Sequence, residues 1–168
     1  SAASDVYKRQ PYQSFSARAG NPNFIDFAEL IEAGYLEQRD IDGVYLGSDP
    51  SNVDYGAIFD GRRQILDRAA ERFAADKPAD FDDFIQANED WLIPYCEFMT
   101  VKEECGLKAF WEWPAELRTR GEASAKVCAD HPAHMLYHQM TQYFFDRQWS
   151  RLKAYANAVS YTHLTLPT

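Results

Sequence analysis

His131, His134 and His138 stand at i, i+3 and i+7, so on a helix they share one face, and Cys128 lies three residues upstream of His131. Imidazole and thiolate at such spacing can ligate a metal. No carboxylate completes the set locally, and Asp130 read as an N-cap with Pro132 in the first turn leaves Cys128 before the helix and off that face. The expectation is histidines on a partly polar helix face, with no metal site. Carboxylates gather at Asp80, Asp82 and Asp83 and at Glu103 with Glu104. Acids in a first turn complement the helix dipole and acids on an outer face stay solvated, so neither group is assigned catalysis. A retaining glycosidase needs two carboxyl groups about 5 Å apart in a cleft, and no pair here is marked out by the sequence. The serines sit in no GxSxG setting. Cys96, Cys105 and Cys128 lie in helical or capping contexts without an electropositive cluster, and phosphate-cradling glycine loops are absent. No catalytic residue is assigned from the residues present.

The elements that must carry these residues are mainly helical. The chain has 168 residues, the size of one ordinary domain, and 46% of them are apolar. Lys plus Arg number 17 against 26 Asp plus Glu, a formal charge of −9 that argues against nucleic acid or an anionic membrane as partner. No apolar run approaches the roughly 20 residues of a spanning helix and no secretory leader opens the chain, so a soluble, intracellular protein is expected. Three cysteines without CxxC spacing read as free thiols. Aromatic residues are plentiful, with 10 Tyr, 11 Phe and 4 Trp, which suits a core and equally suits stacking on sugar rings.

Residues 11–22 are turn-rich and read as an ordered loop. Asp26 caps a short helix through Ala33, with Gly34 as its stop, and a helical turn is expected near residues 36–41. Residues 55–75 place Ile58, Ile65, Leu66, Ala69 and Phe73 at helical intervals, ended by Pro78. A helix over residues 80–88 leads into a second starting near Glu89, with Pro94 early in it, and running to Cys105 before Gly106. Beyond the aromatic knot Phe110, Trp111 and Trp113, a turn or two follows Pro114. Residues 130–158 form the strongest helix, through Met135, Tyr137, Tyr143, Phe144, Trp149 and Tyr155. No alternating strand is found. Residues 1–10 and 159–168 lack helical periodicity, resemble translated adapter sequence, and read as a non-native leader and tail.

The run PYQSFSARAGNPNFID, residues 11–26, resembles the substrate loop of the 4-alpha-glucanotransferases, the amylomaltases of glycoside hydrolase family 77. Further motifs resemble the same family in the same order. They are GYL at Gly34, VDYG at Val53, the pattern Trp91-Leu92, Tyr95, Phe98-Met99, Lys102, the pair Trp111 with Trp113-Pro114, and FDRQW followed by LKAYAN from Phe145 to Asn157. The resemblance implies a cytoplasmic enzyme that moves α-1,4-glucan segments between maltooligosaccharides through a covalent glycosyl-enzyme intermediate, without metal or organic cofactor. It implies a (β/α)8 barrel with helical insertions, of which this chain would hold a substrate-loop and connecting segment (11–54), a helical insertion (55–129) and one barrel helix (130–158). The family's three catalytic carboxylates would all lie downstream of Ala158, so the chain is expected to be an internal fragment, inactive alone.

By the same resemblance Tyr12 matches a tyrosine whose ring stacks on the sugar at the scissile bond, where it holds register and offers an electron-rich face to developing positive charge. The position two before it, a serine in the family, is Gln10 here. Phe59 matches a position that in some relatives is a tyrosine of a secondary glucan-binding surface. Arg147 and Trp149 are assigned to helix packing. The alternatives are a free-standing helical interaction module, which would be cooperative and monodisperse, and a maltooligosaccharide-binding module. A severed barrel piece would instead expose the apolar face from Met135 to Tyr155 and self-associate.

Overall fold

The computed structural model describes residues 16–46 and 54–162, and among them it contains helices and no strand. The helices are α1 (Phe27–Glu32), α2 (Gln38–Asp42), α3 (Tyr55–Ala75), α4 (Phe81–Glu104), α5 (Glu122–Asp130) and α6 (Pro132–Thr162). Short 3-10 turns stand at Pro22–Phe24, Phe110–Glu112 and Ala115–Leu117. The long helix α6, at 31 residues reaching about 46 Å, packs against both α3 and α4.

Local chemistry accounts for most of the boundaries. The Asp26 carboxylate accepts from the Ala28 amide (2.9 Å) to start α1, and Gly34 ends it at φ 84°, a conformation that favours glycine. Asp54 caps α3 through the Ala57 amide (3.0 Å). Down one face of α3, Ile65, Leu66, Ala69 and Phe73 are buried, as their spacing predicts. Three arginines on α3 then fix the preceding segment: Arg62 donates to the Ile25 carbonyl, Arg68 to that of Asp40 (2.7 Å) and Arg72 to that of Tyr35 (3.0 Å).

The main core is aromatic. The Phe73 ring meets Phe81 edge-on at 4.8 Å, with Tyr35 at 5.3 Å and Phe144 at 5.7 Å, an arrangement ring quadrupoles favour. Leu30 of α1, Leu36 of the following loop, Ile65 and Leu66 of α3 and Met140 of α6 complete it. A smaller cluster forms around Ala19, Leu92, Tyr95 and Cys96 where the first described loop meets α4.

The helical plan differs from the sequence expectation in three places. First, α4 is one helix through Pro94 rather than two. The proline leaves the Asp90 carbonyl without its helical donor, but Asp90 is solvent-exposed, and Leu92 and Cys96 stay buried on either side. Second, Asp130 closes α5 and does not cap α6; His131 is the junction, and its carbonyl accepts from the His134 amide (3.1 Å). The separate helix α5 is a feature the sequence reading lacks. Ser124 stabilises its start by accepting from the Gly121 amide (2.9 Å) and donating to the Gly121 carbonyl (3.0 Å). Third, most of the apolar face of α6 expected to be exposed is covered, since Tyr137, Met140, Tyr143 and Phe144 are buried. Exposure is confined to its far end, at Trp149, Leu152, Tyr155 and Val159. The helix runs on to Thr162, past the expected boundary at 158. No described helix is long and apolar enough to cross a membrane.

Candidate functional site

The segment that follows Tyr12 is held by two glutamines of α6. The Gly20 amide donates to Gln142 Oε1 (2.8 Å) while Gln142 Nε2 donates to the Gly20 carbonyl (3.0 Å). Six residues further along both segments the pairing repeats: the Asp26 amide donates to Gln148 Oε1 (2.8 Å) and Gln148 Nε2 to the Asp26 carbonyl (3.1 Å). Each amide side chain thus satisfies both backbone groups of one loop residue, as a neighbouring strand would. Gln142 is 2% exposed, so its amide would be costly to bury without these partners. Gly20 has to be glycine, because a Cβ there would stand 2.0 Å from the Phe145 ring.

A third tether comes from α4. Arg18 pairs with Asp90 at 2.7 Å and lies over the Trp91 ring at 5.6 Å. The Ser16 hydroxyl accepts from the amides of Arg18 (3.2 Å) and Ala19 (3.3 Å), turning the chain towards the bundle. The loop is therefore set in place by side chains 72 and 122 residues away in sequence. None of Gly20, Gln142 and Gln148 is picked out as functional by the sequence reading.

Of the residues expected to touch sugar, Tyr12 lies outside the described residues, and Phe59 sits in the first turns of α3 with 36% of its surface exposed. Arg147 packs as expected, donating to Asp80 at the start of α4 and to the Tyr143 hydroxyl, which itself donates to Asp80 (2.8 Å). Trp149 stacks on Phe145 at 6.2 Å and is 48% exposed. Asp80 is held below the usual carboxylate range, first by the Tyr143 hydroxyl.

The histidine face looks onto the end of α4, where Glu103 departs from the expectation of a solvated outer acid. It accepts from both terminal nitrogens of Arg63 (2.6 and 3.2 Å), and its Oε1 lies 2.9 Å from His138 Nε2. Burial alone would raise its pKa, but His138 and Arg63 override burial and hold it at about 2. Arg63 also covers the Tyr137 ring at 3.8 Å. Burial keeps His138 below its ordinary value, so near neutral pH a neutral ring faces Glu103 and Arg63 balances the charge. A carboxylate so held cannot supply a proton near neutrality, and the cluster serves as an internal brace.

Glu104 completes what the sequence leaves unfinished. Its Oε1 lies 3.3 Å from His131 Nδ1 and 3.5 Å from His134 Nδ1, and the two rings stack at 5.4 Å. Cys128 is no part of this group; its thiol points to the Glu97 carbonyl at 3.9 Å. All three cysteines are free, and Cys96 is buried.

A 4-alpha-glucanotransferase family model, that of glycoside hydrolase family 77, matches residues 2–162. A 4-alpha-glucanotransferase of Streptococcus pneumoniae is 46% identical over 154 residues, covering 90% of this chain and 30% of that protein. One from Thermus thermophilus is 35% identical over 158 residues, with 91% and 31% covered. Among solved structures, an amylomaltase from Streptococcus agalactiae in complex with acarbose superposes with a TM-score of 0.79 at 40% identity, covering 89% of this chain and 31% of that one. The chain thus spans about three-tenths of the length of the relatives it matches.

Proposed function

Because this chain belongs to the 4-alpha-glucanotransferase family, glycoside hydrolase family 77, we propose that it is the loop-bearing helical part of a cytoplasmic enzyme that transfers α-1,4-glucan segments between maltooligosaccharides. In this reading Tyr12 stacks on the donor sugar, Phe59 lines a secondary glucan-contacting surface, and the transfer step uses carboxylates that this chain does not carry. The observation that carries it is the double clamp of Gly20 and Asp26 by Gln142 and Gln148. A rigid helix fixes the backbone eight residues after Tyr12, at Gly20, and again at Asp26, and anchoring of a substrate loop on a rigid element favours preorganised contacts.

The carboxylates singled out in the sequence support the division of labour. Glu103 is bound up with Arg63, and Asp80 with Tyr143 and Arg147, so both hold helices together. The proposal therefore expects no glucose release from maltotriose by the purified 168-residue chain. Glucose release that disappears in Tyr12→Ala would overturn it.

A further inference from the structure

The ends of α4 and α6 meet at Glu104, His131 and His134, one acceptor atom from each residue lying within 4.8 Å of the other two. The two carboxylate-to-imidazole distances, 3.3 and 3.5 Å, are long for a charge-assisted hydrogen bond, which closes to about 2.7–2.9 Å. His134 Nδ1 is moreover buried without a hydrogen-bond partner among the described residues, an unusual state for a ring nitrogen. Both observations have one explanation. Ligands placed tetrahedrally about Zn²⁺ at about 2.0–2.1 Å are themselves about 3.3 Å apart. Two imidazoles with one carboxylate suit zinc rather than the all-oxygen preference of Mg²⁺ or Ca²⁺. Three protein ligands would leave one coordination position for water.

We infer that Glu104, His131 and His134 form a Zn²⁺ site that ties the C-terminal end of α4 to the α5–α6 junction. The position makes mechanical sense. His131 is the residue at which the chain turns from α5 into α6, and Glu104 is the last residue of α4, so a shared ion would close the intervening segment, residues 105–130, into a loop. Behind the site, Glu103 Oε2 approaches His134 Nδ1 at 3.4 Å. Arg63 already holds that carboxylate, so beside the site it adds negative charge that favours a cation rather than serving as a ligand.

The test uses the full 168-residue chain, prepared without a histidine tag and stripped with chelator, titrated with ZnCl2 by calorimetry. A thermal melt by circular dichroism is run on the same samples. The expected result is saturation at one Zn²⁺ per chain, a higher melting midpoint with the ion bound, and no comparable response to MgCl2. Glu104→Gln and His134→Ala should each weaken binding at least about tenfold. Cys128→Ser should bind like the parent, since its thiol faces Glu97. The melts identify any variant that has lost its fold, and His131→Ala serves as the second ligand deletion in that event. Absence of saturable Zn²⁺ binding, or equal affinity in Glu104→Gln and the parent, would overturn the inference.

Discussion

Glu103 and His138 make the fold sensitive to acid, and the direction follows from both groups. His138 is kept neutral by burial, below its ordinary 6.5, so as pH falls through that value the unfolded chain takes up a proton that the folded one refuses. Glu103 is held at about 2 against an ordinary 4.5, so its contribution is full above 4.5 and is lost as pH falls towards 2. Both act in one sense. The melting midpoint should therefore decline from about pH 6.5 downward and more steeply below about 4.5, and Glu103→Gln should flatten the lower part. A midpoint unchanged between pH 7 and 4 would count against this brace. At the loop, Gly20→Ala must push the Phe145 ring aside and should cost about 1–3 kcal/mol in denaturant unfolding. Gln142→Leu strands the amide and carbonyl of Gly20, for a similar loss of about 1–3 kcal/mol. Little of this is legible in sequence. Gln142 and Gly20 are 122 residues apart, and a side-chain amide pairing with a distant backbone leaves no periodicity to read. Glu103 likewise looks like any solvated acid until α3 and α6 bring Arg63 and His138 to it.

Among the elements, those defined by local chemistry are the ones the sequence reveals. Residues 55–75 alternate apolar positions at helical spacing, and α3 occupies that range; Asp26 and Gly34 bound α1 as their capping preferences dictate. Where tertiary packing overrides local preference, the reading fails. Pro94 reads as an early position in a fresh helix, yet buried Leu92, Tyr95 and Cys96 carry α4 straight through it. Restoring the amide with Pro94→Ala should raise the melting midpoint, by up to about 3 kcal/mol of helix stability; a lower midpoint would mean that the proline shapes α4 for its packing. The helix α5 escapes notice because its sequence EASAKVCAD carries few large apolar residues and its start depends on the Ser124 hydroxyl.

At the scale of the molecule, the described residues bury their own core, with Phe73, Leu30, Ile65, Leu92 and Met140 essentially inaccessible. That supports a cooperative melt. Trp149, Leu152 and Tyr155, at three-residue spacing on the end of α6, form most of the apolar exposure that remains there. Size-exclusion chromatography should show concentration-dependent association that weakens when all three are replaced by Gln or Ser; a strictly monomeric parent would contradict that. The relation to the glucanotransferase family is the best-signalled feature of the sequence, since the motifs lie in order along nearly the whole chain, whereas the anchoring of the loop that gives those motifs a purpose appears only in three dimensions. The central claim, that this chain positions a glucan-contacting tyrosine for catalysis performed elsewhere, is tested most directly by exchange. Residues 11–158 would replace the corresponding segment of the 46% identical Streptococcus pneumoniae relative, and disproportionation of maltotriose would be measured. The expected result is an active chimera whose activity collapses in Tyr12→Ala and falls in Gln142→Leu. A folded chimera with no transfer activity, or one indifferent to Tyr12→Ala, would contradict it.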